Sequence, residues 1–431
     1  MPYESKPLKT WKMAKDLIDR HFQEIKNAKA RGKILVGSAG VLPAEILSGM
    51  DVEWIFGEVY AAVNAFNWKD SPELHEACEK RGYDRNLCHY MKCYLSSLFL
   101  DKGFMGTYPK TPDFCISEGE CTTHGKWMEI VSKHLNVPFF DLDHPYDIVD
   151  EAPRGEHFVD YYVSQFYEFI EWMQKVTGIK WEEEKFFEGY RNTFEVKRLW
   201  SDITNLNKAI PAPLDLKSMA TLMVPAIHIY LKKEAVEFYK LLLEEVQERV
   251  EKKIAANPLE DLRFAFCSMP PWHALPDLRR MDNYGATFVA ASYNFHWGTD
   301  WWEAADGTIG RPDWVGKEPR DLDEALRHVA ERMLGHPLRI EAQIKTHTKI
   351  VKEYQIGALV YHGCRGCEGF LRGHDWLLKP MKELGVRCMA FEGSQADPRD
   401  YTVAQVHDRM DVFLESLGLK DHGKKEEKIK A

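Results

Sequence analysis

Residues 357–370 read Gly-Ala-Leu-Val-Tyr-His-Gly-Cys-Arg-Gly-Cys-Glu-Gly-Phe, and no other stretch limits the fold so tightly. The apolar run Ala358 to Val360 predicts a short buried strand. A Gly-punctuated turn holding Cys364 and Cys367 follows, and a helical pattern begins near Phe370. Strand, glycine-rich turn and helix, in that order, place backbone N–H groups and thiols at the carboxyl edge of a sheet, where open α/β sheets bind ligands. The C-x-x-C alone leaves thiol redox chemistry and metal binding both open.

The same grammar recurs upstream. Ile34 to Val36, Val52 to Phe56, Phe114 to Ser117 and Val137 to Leu142 are strand candidates, with helical patterns from Pro43 and from Lys126 to His134. Further strands are expected at Leu262 to Ser268, Thr287 to Ser292 and Val386 to Glu392, again alternating with helices. Such βαβα alternation implies mostly parallel sheets covered by helices. Residues 155–257 differ, being long helical patterns rich in Glu and Lys and punctuated by Pro211, Pro213 and Pro225. The expected fold is therefore α/β: two doubly wound, mostly parallel-sheet domains with a helical insertion between them. The boundaries are an N-terminal helix over 1–30, a first α/β domain over 31–154, a helical bridge over 155–257, a second α/β domain over 258–419 and a flexible tail over 420–431.

Composition narrows the function. A net charge of −10 argues against a nucleic-acid binder, which carries a basic patch. No apolar run approaches the length of a membrane span and no signal-peptide core opens the chain, so a cytoplasmic location is expected. In that reducing compartment the nine cysteines are thiols or metal ligands rather than disulfides. Cys115, Cys267 and Cys388 lie inside apolar strand runs and, with Cys78, read as small buried hydrophobes; Cys93 leans the same way.

Cys121 follows a strand and precedes a helix, as do Cys364 and Cys367, and Cys88 sits near a helix start. Helix N-termini stabilise thiolates. If the two domains face each other across a cleft, these sulfurs converge there, as iron–sulfur ligands do. Zinc held by the same four cysteines is the alternative. There is no Gly-x-x-x-x-Gly-Lys-Ser/Thr loop, so any ATP would be bound by a partner.

Three passages resemble the 2-hydroxyacyl-CoA dehydratase and ATP-dependent benzoyl-CoA reductase family. They are Gly40-Val41-Leu42-Pro43-Ala44-Glu45-Ile46 with Asp51 behind it, Cys88-His89-Tyr90-Met91-Lys92 with Cys121 at a later strand end, and Tyr361-His362-Gly363-Cys364-Arg365. The resemblance spans about residues 30–417. It implies a [4Fe-4S] cluster between tandem α/β domains, with Cys88, Cys121 and Cys364 as ligands and Cys367 as a fourth sulfur or a neighbour. It also implies a homologous smaller cluster-bearing subunit, a separate ATP-hydrolysing iron–sulfur electron donor, and an acyl-CoA substrate. Cys121-Thr122-Thr123-His124 in place of the family's Cys-Asp pair, and Phe391-Glu392-Gly393 in place of a Glu-x-Asp ending, weigh against a standard dehydratase subunit. The His-Gly-Cys-Arg-Gly-Cys wording and the chain length look more like the larger cluster-bearing benzoyl-CoA reductase subunit. The expected activity is thus aryl-CoA reduction to a cyclic dienoyl-CoA. A 2-hydroxyacyl-CoA dehydratase subunit is the alternative, and a non-catalytic electron-transfer subunit the second.

Glu58 ends a strand and Ser38 follows one, so both can face the cleft: Glu58 as proton donor or base, Ser38 as a donor to a thioester oxygen. Turn or capping chemistry is the competing account of each. His362 is a candidate proton donor. Glu45, in a first helical turn, reads as a dipole partner. The aromatic run Trp272, Tyr293, Phe295, Trp297, Trp301 and Trp302 is either a pocket wall or interface packing.

Overall fold

The computed structural model describes residues 2–66, 70–145, 155–304, 307–335, 340–367 and 374–423. Two parallel four-stranded sheets are separated in sequence by a long helical region. The first contains β1 (Ile34–Ser38), β2 (Val52–Phe56), β3 (Phe114–Glu118) and β4 (Phe139–Leu142) in the order β2-β1-β3-β4. The second contains β5 (Leu262–Cys267) and β6 (Ala286–Ala291), and, beyond a small antiparallel ribbon of β7 (Trp302–Glu303) and β8 (Ile309–Gly310), β9 (Ala358–Cys364) and β10 (Arg387–Gly393). Its order is β10-β9-β5-β6. Every residue of β6 and β9 is buried, because parallel sheets are covered on both faces; hence their mainly apolar and small-residue sequences, with His362 the exception.

In each sheet the strand order reverses once: between β1 and β3, and between β5 and β9. At such reversals the loops leave the carboxyl edge in opposite directions and open a crevice. Cys121 lies just beyond β3, and Cys364 and Cys367 lie at and beyond the end of β9.

The intervening helices Glu156–Thr177, Glu183–Leu206 and Lys233–Glu251 carry the amphipathic spacing expected of them, and the N-terminal helix Trp11–Lys26 packs alongside. Lys232 donates to Glu24 at 2.8 Å, and Glu245 accepts from the Thr10 amide and hydroxyl at 2.9 and 2.7 Å. The β7–β8 ribbon was not expected from sequence; its two-residue strands are too short to produce a periodic signal. Phe370 and residues 424–431 of the expected tail lie outside the described residues. The helix expected after the C-x-x-C is present as His374–Glu383.

Glu45 does more than complement a helix dipole. It is fully buried and takes a 2.9 Å hydrogen bond from Arg332, on the helix Leu322–Leu334. Arg332 also donates to the Leu42 carbonyl at 3.2 Å, tying the loop after β1 to the distal half of the chain. Close by, Lys197 donates to the carbonyls of Ala226 and Trp297 at 3.1 and 2.9 Å. Removing one member of a buried pair strands the other's charge. Glu45→Ala should therefore lower the unfolding free energy by about 3 kcal/mol in a urea titration. A loss below about 1 kcal/mol would show that the pair behaves as a solvated surface bridge.

Candidate functional site

The thiols come together because three helix or turn starts meet. Cys88 is the N-cap of His89–Leu100 and Cys121 the N-cap of Thr122–Leu135. The Cys364–Cys367 turn reaches them from the second sheet, and its Gly366 requires both of glycine's freedoms. Its φ is +73°, and a Cβ there would stand 2.8 Å from the Leu87 carbonyl oxygen and 3.1 Å from that of Asn86. The turn therefore rests directly on the backbone that leads into Cys88. His89 locks it there, its Nδ1 lying 3.1 Å from the Arg365 carbonyl and 2.8 Å from the Ser394 hydroxyl.

Cys88, Cys121 and Cys367 lie within electrostatic reach of one another. Cys364 sits deeper, fully buried, with its thiol 2.8 Å from Gln395 Oε1. Gln395 Nε2 in turn lies 4.0 Å from the Cys88 sulfur, so one amide bridges two of the thiols. A cavity of about 780 Å³ opens on Cys88 and Cys367, lined also by Met91, Thr123, Lys126 and Arg365 among others. Burial pushes the Cys121 thiol up to about 12 and Cys88 well above its ordinary value, and the neighbouring sulfurs and Glu58 add to the rise. The helix amides of Thr123 and Met91 pull the other way, although neither thiol forms a full cap hydrogen bond.

Thiols that are costly to ionise alone, packed around a common space, suit a cationic metal centre that takes the place of their protons. Tetrahedral zinc would draw its sulfurs to within roughly 3.8 Å of each other, given Zn–S bonds of ~2.3 Å. Among the described residues, the groups of three ligand atoms within 4.8 Å of one another are His21/Glu24/Glu53 and His89/Asp397/Asp400, with no thiol in either. Thiols spread more widely than that, at the edges of two sheets, fit a multi-iron cluster better than one ion.

Glu58 opens the helix Gly57–Phe66 directly after β2, and its carboxylate accepts from His124 Nε2 at 3.1 Å. Burial opposes a charge on His124, but the Glu58 hydrogen bond and the charges of Glu58, Glu120 and Glu118 hold its proton above the ordinary imidazole range. Gly40 leaves room for that ring, since a Cβ there would overlap it. Glu118 is buried and paired with His144 at 2.5 Å. Burial and the neighbouring Glu118 push Glu120 up to about 8.

The other two candidate catalytic residues stand elsewhere. The Ser38 hydroxyl is buried in the sheet and donates to the Ile55 carbonyl at 3.1 Å. His362 is buried in β9, with Nδ1 2.6 Å from the Met269 carbonyl and its ring stacked on Phe391. Burial lowers its pKa to about 4. Neither residue lines the cavity on Cys88 and Cys367, and each already has a hydrogen-bond partner: Ile55 in the adjacent strand for Ser38, Met269 in the loop after β5 for His362. Sequence reasoning passed over Tyr90, His124 and Gln395. Gln395 follows β10 at a strand end, and that placement was the available signal. For the aromatic run both readings hold in part: Trp272 Nε1 donates to the Tyr90 hydroxyl across the domains, and Trp272 and Tyr293 share a cavity wall with Glu58.

Two parallel four-stranded sheets separated by a long helical region, with thiols and a carboxylate gathered at their carboxyl edges, define an α/β protein of the doubly wound class. A family model described as 2-hydroxyglutaryl-CoA dehydratase, D-component, matches residues 40–417, and the chain belongs to that family. Similar proteins include the (R)-2-hydroxyisocaproyl-CoA dehydratase alpha subunit of Clostridioides difficile, 26% identical over 93% of this chain and 94% of that one. The (R)-phenyllactyl-CoA dehydratase alpha subunit of Clostridium sporogenes is 26% identical over 90% and 91%, and the (R)-2-hydroxyglutaryl-CoA dehydratase subunit alpha of Acidaminococcus fermentans 22% identical over 95% and 97%. The chain is thus a subunit of an acyl-CoA dehydratase-family enzyme. Among the described residues no helix is long and apolar enough to cross a membrane.

The Glu58–His124 contact has a measurable signature. A double-mutant cycle with Glu58→Gln and His124→Phe should return a coupling of about 1.5 kcal/mol in unfolding free energy. His124 is raised in the folded state, so the coupling is complete below its unfolded value of ~6.5 and fades as pH climbs through the folded one. A coupling that is constant from pH 5 to 9 would show that the histidine stays neutral.

Proposed function

We propose that this chain is the cluster-bearing, substrate-binding subunit of a 2-hydroxyacyl-CoA dehydratase. The observation that carries the reading is the meeting of Cys88, Cys121 and Cys367, backed by Cys364, beside the Glu58–His124 pair. The relatives are all named dehydratases, which favours this activity over the aryl-CoA reduction first expected from the C-x-x-C wording.

Removing water from a 2-hydroxyacyl thioester breaks the C2–O and C3–H bonds and forms C2=C3, with no net oxidation. The C3 proton is not adjacent to the carbonyl, so a base alone finds it weakly acidic. A [4Fe-4S] cluster held by Cys88, Cys121 and Cys367, or with Cys364 as a ligand, would supply one-electron chemistry and an electrophilic iron for the substrate oxygen. Glu58 is placed to move a proton to the leaving hydroxyl or from carbon, and His124 holds its carboxylate in orientation and steadies its charge. The buried, aromatic-walled approach through Trp272 and Tyr293 keeps water from the reacting atoms. With no phosphate-binding loop in this chain, a separate ATP-hydrolysing iron–sulfur protein would deliver the electron and a homologous smaller subunit would complete the complex.

Anaerobically purified protein should contain about four iron and four acid-labile sulfide per chain, both lost in Cys121→Ser. Cys367→Ser and Cys364→Ser compared in the same assay identify which of the two sulfurs is a ligand. With the partner proteins present, 2-hydroxyacyl-CoA should be dehydrated and Glu58→Gln should slow turnover at least 100-fold. Zinc or no metal in a folded protein would defeat the cluster, and reduction of benzoyl-CoA without dehydration would restore the reductase reading.

A further inference from the structure

A second cavity, of about 400 Å³, has Glu58 in its lining. The two cavities share no lining residue. Glu58, Trp272 and Tyr293 line one part of it. Tyr293 and Glu58 both lie within electrostatic reach of the cysteines, so this is the reactive end. The walls are Val59, Ala62, Val63, Met223, Val224 and Ile227, supplied by the helices Gly57–Phe66 and Val224–His228 and the residue before the latter. The lysines that touch the cavity, Lys15 and Lys217, are exposed at its rim, and Lys217 rests over the Trp11 ring at 5.2 Å. Among the described lining residues there is no arginine.

A carboxylate seated between these walls would lose its hydration, find no arginine and no buried lysine in the described lining, and approach Glu58, itself an acid. An aliphatic or aryl group would gain burial at no polar cost. The pantetheine arm of CoA carries two amides that need hydrogen-bond partners, and the walls of Val, Ile, Met and Ala offer them none away from Thr221 and the polar residues Lys15, Asp19 and Lys217. We propose that this cavity receives the acyl side chain of the CoA thioester and selects branched-aliphatic or aryl groups against a side chain that ends in a carboxylate. The proposal rests on the dehydratase reading of the same site and adds the substrate class, on which the relatives divide: isocaproyl and phenyllactyl on one side, glutaryl on the other.

The test is equilibrium binding to the purified complex under anaerobic conditions, using thioesters without the 2-hydroxyl, which cannot turn over: isocaproyl-CoA, 3-phenylpropionyl-CoA, glutaryl-CoA, and CoA itself. Isocaproyl- and 3-phenylpropionyl-CoA should bind at least tenfold more tightly than glutaryl-CoA. Val63→Arg, which places a cation within the walls, should weaken isocaproyl-CoA at least tenfold, narrow the gap to glutaryl-CoA and leave CoA unchanged. Ala62→Leu, a milder change that fills space, should weaken 3-phenylpropionyl-CoA more than CoA, and decides the matter if Val63→Arg does not fold. Glutaryl-CoA binding as tightly as the apolar thioesters would overturn the proposal while leaving the dehydratase reading intact. So would either variant weakening CoA as much as its thioesters, which would assign the cavity to the pantetheine arm. Failure of every thioester and of CoA to bind would defeat the dehydratase reading itself, and this proposal with it.

Discussion

The centre of this protein depends on how closely two backbones approach one another. Gly366 presses on the carbonyls of Asn86 and Leu87, at a φ that favours glycine and at a distance that no side chain can share. That contact sets Cys367 against Cys88. The hydrogen bonds from His89 to the Arg365 carbonyl and Ser394, and from Trp272 to Tyr90, repeat the constraint on either side. Buried polar contacts of this kind have one good geometry and many costly ones, so they define a relative placement of the domains that apolar packing alone would leave looser.

Electrostatics follow from that placement. Facing carboxyl edges bring helix N-termini, thiols and carboxylates into one poorly hydrated region. His124 and Glu118 there are each pulled two ways: burial disfavours the charge, and an opposite charge restores it. His124 keeps its proton because Glu58 lies 3.1 Å away, whereas Glu120, beside another acid, is pushed toward neutrality. Away from the thiols the same rule gives Glu45 and Arg332, where the charge is stabilised by pairing and serves to join the halves of the chain.

Much of this was legible in the sequence. Strand, glycine and helix recur with enough regularity that the parallel sheets and the helical region between them could be read directly. Cys88, Cys121, Cys364 and Cys367 stood out from the other cysteines because each lies at a strand end or helix start, not inside an apolar run. The β7–β8 ribbon was not legible, because two-residue strands carry no period. Ser38 and His362 looked like Glu58 from their strand-end positions, yet both side chains are held within the sheets.

The pattern of apolar runs, glycines and cysteines thus determined the fold class and the residues that could meet at a sheet edge, because these depend on periodicity and local backbone geometry. Which thiols share a space, that Glu58 is partnered by His124, and that an apolar cavity reaches the same carboxylate were decided only by the tertiary structure. Those facts depend on how the elements around the two sheets pack against each other. That placement is set by contacts between residues hundreds of positions apart, such as Ser394 with His89, and local sequence carries no trace of it.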